Sequence, residues 1–332
     1  MQRLQYIDRL KGIAILSVVM YHIILGPLHY KWYDAQGDWL VFLFYSYQMP
    51  LFMFLSGLVI SSGLNLQKCV EKFFKFMMPC LLFGVVKSSL YDESAFSFIF
   101  QDIKGGYWYL WVLSIFYILL TITNHIFKYT RTSWVLDLCT ALCIYVMFKL
   151  LFVFLQNTIS DFLSLARLIE MWPFFIMGFL FQKYDIVKYL VEKNYIYTLF
   201  LVTLPIFLFI YGKHYLTHGV QLLSVSFIGT YMFLFIRREN NHTYIEDLLS
   251  SIGRHSLDVY IFHFFLLNLV SLPFWGQWFL QTKNFLLEML VILPLAIIIS
   301  VFCIIIGKIL RQSSLIRKIF YGDISHYLQH RR

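Results

Sequence analysis

The chain alternates long apolar runs with short polar stretches, and this alternation predicts its fold. Apolar runs bounded by charged or turn-forming residues occur at ten places, and each is close to the length of a helix that crosses a bilayer. They cover residues 11–27, 39–61, 72–90, 107–127, 133–155, 163–182, 194–212, 217–236, 256–274 and 285–309. Because these runs are too long and continuous for the strands of an outer-membrane barrel, we expect an all-α, polytopic integral membrane protein with about ten transmembrane helices.

The basic residues predict how these helices cross the membrane. With the N-terminus inside, most of the 27 lysines and arginines fall in inner segments, whereas the outer loops hold only Lys31, Lys104, Lys213 and Lys283. This asymmetry favours an even number of spans with both termini cytoplasmic. No soluble appendage is evident, so we expect a single membrane-embedded domain over residues 1–332. The net charge of +9 then reflects helix ends beside anionic lipid headgroups, so membrane lipids are expected partners and nucleic acid is not.

The first span carries the strongest candidate for chemistry. Lys11 and His22 are eleven positions apart, which places them within roughly 20° of one helix face and about 16 Å apart along the axis. The ammonium can therefore lie at one membrane surface while the imidazole lies near mid-depth. Ionisable groups inside a membrane are costly, so His22 is a functional candidate, with Lys11 and the preceding Asp8 beside it.

The ninth span carries a second buried histidine. Ser256, Tyr260 and His263 share one helix face, and His263 lies about 12 Å from the inner surface, a depth similar to that of His22. This suggests a shared polar cavity, although a lone buried histidine such as His263 is more often a hydrogen-bonded structural residue. The other histidines fall in loops or at helix ends, with no metal-ligand spacing and no glycine-rich phosphate loop. No metal and no bound cofactor are expected.

Three further polar features have both a plain and a functional explanation. Lys72 and Lys75, one turn apart after the second span, either anchor the inner side or cradle the phosphates of a cytosolic nucleotide-bearing donor. Trp108, in an aromatic run at the outer surface, belongs to a membrane-interface belt or to a platform for a glycan. Arg167 and Glu170 form a local ion pair or bind an acceptor.

Together these features resemble the acyltransferase 3 family of ten-helix membrane O-acyltransferases that act on surface glycans, in particular its sugar O-acetylase-like branch. The resemblance covers nearly the whole chain. Its signatures are a basic residue and a histidine separated by ten intervening residues, a basic pair separated by two intervening residues, and three shorter landmarks. Here these are Lys11 with His22, Lys72 with Lys75, and the runs 49–57, 108–113 and 256–263. The family commonly has arginine where this chain has lysine, which keeps the charge but loses the bidentate fork.

The resemblance implies an enzyme of the bacterial inner membrane. It would move an acyl group, by default acetyl, from cytosolic acyl-CoA to a hydroxyl of a cell-surface or lipid-linked glycan. His22 would be the general base, because imidazole titrates near ambient pH, or alternatively an acyl-accepting nucleophile. Asp8 would orient the first helix, and Lys11, Lys72 and Lys75 would hold donor phosphates. Ser256, Tyr260, His263, Arg167, Glu170 and Trp108 are candidates for the cavity or the acceptor.

An alternative from another class is a polysaccharide or glycolipid exporter, in which the same polar groups line a pathway and no bond is made. An exporter would leave the surface glycan missing, whereas a lost acyltransferase would leave it unacylated. An ion-coupled transporter is a third class, but its usual sign of broken helices in matching repeats is not evident in the sequence.

Overall fold

The computed structural model describes residues 5–28, 39–60, 64–90, 94–127, 133–186, 243–282 and 284–323. Within these ranges the regular elements are helices, with no strand, which confirms the all-α prediction. Two short 3-10 helices, Ser97–Phe100 and Lys104–Gly106, join α3 to α4. The α-helices are α1 Gln5–Leu25, α2 Trp39–Leu58, α3 Leu66–Leu90, α4 Trp108–Ile126, α5 Trp134–Phe154, α6 Asn157–Leu163, α7 Leu165–Lys183, α8 Tyr244–Arg254, α9 Ser256–Leu267, α10 Pro273–Thr282, α11 Phe285–Leu310 and α12 Ser314–Tyr321.

Four stretches in the described part of the chain are long and apolar enough to cross a membrane: α4, α5, α6 together with α7, and α11. In α5 most side chains are exposed although they are apolar, as Leu142 and Val153 show, at 55% and 74%. A helix that turns so many apolar side chains outward is stable only in an apolar solvent. The chain is an integral membrane protein.

The ninth predicted span differs from the structure. Its sequence forms two helices, α9 and α10, separated by residues 268–272. Pro273 opens α10 because proline suits the first position of a helix and cannot continue one. With 12 residues, α9 is about 18 Å long, less than the roughly 30 Å of a bilayer core, so the prediction of one continuous helix was wrong. The spans predicted over 194–212 and 217–236 lie outside the described residues, and the ten-span count stays a prediction.

The chain forms two compact units. The first comprises residues 1–55 and 185–308, and the second residues 56–184 and 309–332. In the first unit the backbones of α1 and α8 touch, because each helix presents a glycine to the other. A Cβ on Gly12 would overlap the carbonyl of Leu249, and a Cβ on Gly253 would overlap the carbonyl of Asp8. Small residues permit such close helix contact in membrane proteins.

The far end of α1 is also fixed within the first unit. The amide of Leu272 donates to the Pro27 carbonyl at 2.7 Å, and Gly276 of α10 packs against the backbone of Leu28. Helix α1 is therefore held at both ends by backbone contacts, which leave little freedom for the side chains between them.

The second unit packs α3, α4 and α7 around aromatic rings. Phe116, Trp172 and Phe175 contact one another, and the Trp172 indole Nε1 donates to the Ala141 carbonyl of α5 at 3.0 Å. At the end of α2, the hydroxyls of Ser56 and Tyr109 lie 2.8 Å apart, so this buried polar pair is satisfied inside the unit.

We expect Gly12→Ala and Gly253→Ala to destabilise the protein, because each added methyl would overlap the backbone carbonyl of the partner helix. Overpacking of this kind costs about 1–3 kcal/mol, and here the clash is with rigid backbone. The measurement is the thermal midpoint in detergent. Gly26→Ala is the control, since a Cβ there meets only the His22 carbonyl, at 3.1 Å. Wild-type midpoints for both test variants would contradict the contact.

Candidate active site

Helices α1 and α9 bring His22 and His263 together in the first unit. Their ring centroids lie 5.3 Å apart, and Phe264 packs against both, at 4.8 Å from His22 and 4.1 Å from His263. His263 is completely buried, whereas His22 is half-buried. The two histidines placed at similar depth from the sequence are thus neighbours, and His22 is the more accessible of the two.

The orientation of His263 is set by its own helix. Its Nδ1 lies 2.9 Å from the carbonyl of Val259, and because a carbonyl only accepts, Nδ1 carries the proton in this contact. In the neutral ring the lone pair is then on Nε2. The ring of Tyr260 lies 6.1 Å from that of His263, while Ser256 lies half-buried at the first residue of α9.

His22 lies in the last turn of α1, between the buried residues Tyr21 and Ile23. The ring of Tyr21 contacts it edge-on at 5.2 Å. The carbonyl end of a helix is complementary to positive charge, so this position suits a group that takes up a proton during a reaction. Lys11 is half-buried near the other end of the same helix, as its spacing predicted.

Asp8 is buried in the first turn of α1, where its carbonyl contacts Gly253. Its neighbour Arg9, which the sequence reasoning passed over, is also buried and pairs with Glu246 of α8 at 3.2 Å. Glu246 in addition closes a capping box with Thr243. The capping-box spacing is visible in the sequence and would have identified the start of α8, but not its partner on α1.

A second carboxylate missed by the sequence reasoning is Asp258 of α9. It is completely buried, its Oδ2 lies 3.3 Å from His255 Nδ1, and Gly307 of α11 packs against its carboxyl group. A carboxylate within an apolar run is itself a signal, because burying an unpaired charge in a membrane is costly. Asp258 fixes α9 between its neighbours and so helps to position His263.

The predicted donor residues lie in the second unit, near the start of α3. Lys72 is half-buried and Lys75 is exposed. Helix α12 packs here, because Gly322, which directly follows it in the left-handed conformation at φ +56°, contacts the backbone of Phe74 and Lys75. Arg317 of α12 pairs with Asp323 at 3.1 Å, so its charge is balanced within the same segment.

The three remaining candidates, Trp108, Arg167 and Glu170, meet at the other end of the second unit. Arg167 Nε donates to Asp102 Oδ2 and its Nη1 donates to Glu170 Oε2, both at 2.9 Å. The guanidinium lies 5.7 Å from the centre of the Trp108 ring. The local ion pair exists, and it belongs to a larger cluster that includes Asp102, which the sequence reasoning missed.

Lys104 is a buried member of the same cluster. It is completely buried, and its Nζ donates to the carbonyls of Gln101 at 2.7 Å and Asp161 at 2.6 Å. The ammonium also lies 5.1 Å from the centre of the Trp111 ring. Its backbone is left-handed at φ +49°, followed by Gly105 at +58°, so this tight turn requires a residue without a side chain directly after the lysine.

A family model described as "Acyltransferase domain", that of acyltransferase 3, matches residues 4–306. The chain belongs to the acyltransferase 3 family. Its match covers each predicted site residue from Asp8 to His263, whereas α12 lies beyond it.

One relative of this chain is the nodulation protein NolL of Mesorhizobium japonicum, which is 29% identical over 195 residues. The aligned part is 53% of this chain and 47% of NolL, so the chain matches about half the length of that protein. No solved structure matches the chain.

We expect Lys104 to make a pH-dependent contribution to the stability of the protein. Burial lowers the pKa of Lys104 from 10.5 to about 8, with the Asp102 carboxylate opposing the shift. Between these values the unfolded chain binds more protons, so the contribution of this lysine to the free energy of unfolding rises with pH. We expect the thermal midpoint of the wild type, relative to that of Lys104→Met, to rise between pH 7.5 and pH 10. The exposed Lys68→Met is the control, and a constant difference for Lys104→Met would contradict the burial of its charge.

Proposed function

We propose that this acyltransferase is an O-acyltransferase of the bacterial inner membrane. It moves an acyl group, acetyl in the simplest case, from cytosolic acyl-CoA to a hydroxyl of a cell-surface or lipid-linked glycan. The observation that carries the proposal is the half-buried His22 ring against buried His263, inside a chain of the acyltransferase 3 family.

His22 acts as the general base in this proposal. It accepts the proton of the acceptor hydroxyl while the oxygen attacks the thioester carbonyl, and the bond between carbonyl carbon and sulfur then breaks. The leaving thiolate of CoA takes the proton back from the imidazolium, so the histidine is regenerated and no other reagent is consumed. The last turn of α1 complements the positive charge that His22 carries between the two proton transfers.

In this proposal His263 contacts the base from α9, with the two ring centroids 5.3 Å apart, and Tyr260 and Ser256 contribute to the cavity from the same helix. With Nδ1 held by the Val259 carbonyl, the neutral His263 ring presents Nε2 as an acceptor and keeps one orientation. Lys11 and Asp8 complete the set on α1. Since both ends of α1 are fixed by backbone contacts, His22 is positioned without relying on a single side-chain bond.

Lys72 and Lys75 hold the phosphates of acyl-CoA in this proposal, and the segment after α12 packs against the backbone of Lys75. Trp108, Arg167 and Glu170 contact the glycan acceptor. The helix geometry supports two separate approaches, because about 22 Å of α3 lie between Lys75 and Leu90, after which the chain leads into the Trp108 cluster. Donor and acceptor can thus meet the protein from opposite membrane surfaces, as the predicted topology requires.

The family match favours acyl transfer over the exporter considered from the sequence. A purified exporter would transfer no acyl group from acyl-CoA.

We expect His22→Ala to lower acyl transfer by about 100- to 10,000-fold without loss of folding, because a positioned base contributes this much. The measurement is the incorporation of radiolabelled acetyl from acetyl-CoA into a glycolipid extract from a strain that lacks this chain. His125→Ala is the control, since His125 is an exposed histidine in the last turn of α4. Full activity in His22→Ala would remove the mechanism.

We expect the double variant Lys72→Ala with Lys75→Ala to raise the KM for acetyl-CoA about tenfold or more, because hydrogen bonds to a charged group are worth about 1.5–3 kcal/mol. The KM for the glycolipid extract should be unaffected. Replacing both lysines by arginine should restore donor binding, since arginine also binds phosphate. Lys68→Ala, on the same helix, is the control. An unchanged donor KM in the double variant would show that these lysines only anchor the helix.

A further inference from the structure

Two buried polar atoms in the second unit have no hydrogen-bond partner among the residues that the structure describes. They are the Oδ1 of Asp102 and the indole Nε1 of Trp111. An unsatisfied buried donor or acceptor costs about 1–3 kcal/mol, so such atoms are rare unless something absent from the protein itself completes them.

Both atoms belong to side chains that are fixed by their neighbours. The other oxygen of Asp102 accepts from Arg167 Nε at 2.9 Å, and the Asp102 carbonyl accepts from the Ser164 hydroxyl at 2.9 Å. The Trp111 ring lies between the Lys104 ammonium at 5.1 Å and the Phe162 ring at 5.7 Å. Neither side chain can rotate to find another partner without breaking these contacts, so the two unsatisfied atoms are a built feature of the cluster.

The chemistry of this pair selects the ligand. The carboxylate oxygen can only accept a hydrogen bond, and the indole N–H can only donate one. A ligand that satisfies both atoms must therefore donate to one and accept from the other, and hydroxyl groups can do either. An anion is disfavoured because Asp102, Asp161 and Glu170 outnumber the cations Lys104 and Arg167. A bare cation is disfavoured because it cannot accept from the indole. A neutral, polyhydroxylated molecule fits both requirements.

The rim of the cluster is accessible although the two atoms are covered. The side chains of Asp102, Arg167 and Glu170 are 23%, 26% and 32% exposed, so a ligand can reach the rim directly beside these two atoms. Its aromatic residues Trp108 and Trp111 are of the kind that commonly accompany sugar recognition.

We propose that Asp102 and Trp111 bind sugar hydroxyls of the acceptor glycan, with Asp102 Oδ1 accepting and Trp111 Nε1 donating. This inference rests on the proposed function, because it names the residues that recognise the acceptor. Arg167 and Lys104 are positioning residues in this site: Arg167 holds the carboxylate, and Lys104 holds the indole ring.

The test uses two variants in the full-length protein. Trp111→Phe removes the indole N–H and keeps an aromatic ring beside Lys104. Asp102→Asn leaves one oxygen for Arg167 and replaces the acceptor at Oδ1 by a donor. The loss of one ligand hydrogen bond should raise the KM for the glycolipid extract about fivefold to thirtyfold in each variant, with the KM for acetyl-CoA unchanged.

Trp172→Phe is the matched control, because the Trp172 indole is already satisfied by the Ala141 carbonyl at 3.0 Å. This variant reduces the ring size as Trp111→Phe does, but it also loses the hydrogen bond to the Ala141 carbonyl. We expect Trp172→Phe to lower the thermal midpoint more than Trp111→Phe does, and to leave the acceptor KM unchanged.

The outcomes separate this inference from the function beneath it. If the wild type transfers acetyl but both variants keep the wild-type acceptor KM, the inference is wrong and bound water completes the two atoms. If the wild type transfers no acetyl, the proposed function itself fails. If either variant folds poorly, the wild type provides an independent test. Because a ligand that binds the folded state stabilises it, the glycolipid extract should raise the thermal midpoint of the wild type. No rise would overturn the inference.

Discussion

The contact between the backbones of α1 and α8 is the constraint on which the first unit depends. Gly12 and Gly253 allow the two helices to approach until a methyl group would no longer fit, and the bond from Leu272 to Pro27 fixes the other end of α1. The ion pair from Arg9 to Glu246, at 3.2 Å between largely buried side chains, links the same two helices. The place of His22 beside His263 follows from that packing.

Buried polar groups divide into those the protein satisfies and those it does not. Glu246 caps α8 and pairs with Arg9, Asp258 lies against His255, and Lys104 donates to two carbonyls. Each arrangement offsets the cost of a polar or charged group away from water. Within the described part of the second unit, Asp102 Oδ1 and Trp111 Nε1 differ from these groups, because they lack a partner although the side chains that carry them are held by other contacts. We interpret the polar groups that have partners in the protein as structural, and the two that lack partners as ligand-binding.

The second unit separates two kinds of chemistry along α3 and α4. Positive charge gathers near the start of α3, where α12 packs against Phe74 and Lys75. Carboxylates and tryptophans gather beyond its end, around Arg167. This distribution of residues within the second unit supports the proposal that an anionic donor and a neutral glycan contact different parts of it.

The sequence by itself determined the helical class, the membrane location and the family, because apolar run length and the spacing of Lys11 with His22 are local properties. It also placed Arg167 beside Glu170, since residues three apart on a helix must be neighbours. Only the tertiary structure decided that Arg9 meets Glu246, 237 residues away, and that the segment after α12 packs against α3. It also decided that Asp102 and Trp111 both lie near Lys104. Sequence periodicity shows which face of a helix is polar, but the partner of that face depends on how distant helices pack, and spacing along the chain contains no record of it. The break between α9 and α10 belongs to the same class, because apolarity alone does not show where a helix ends.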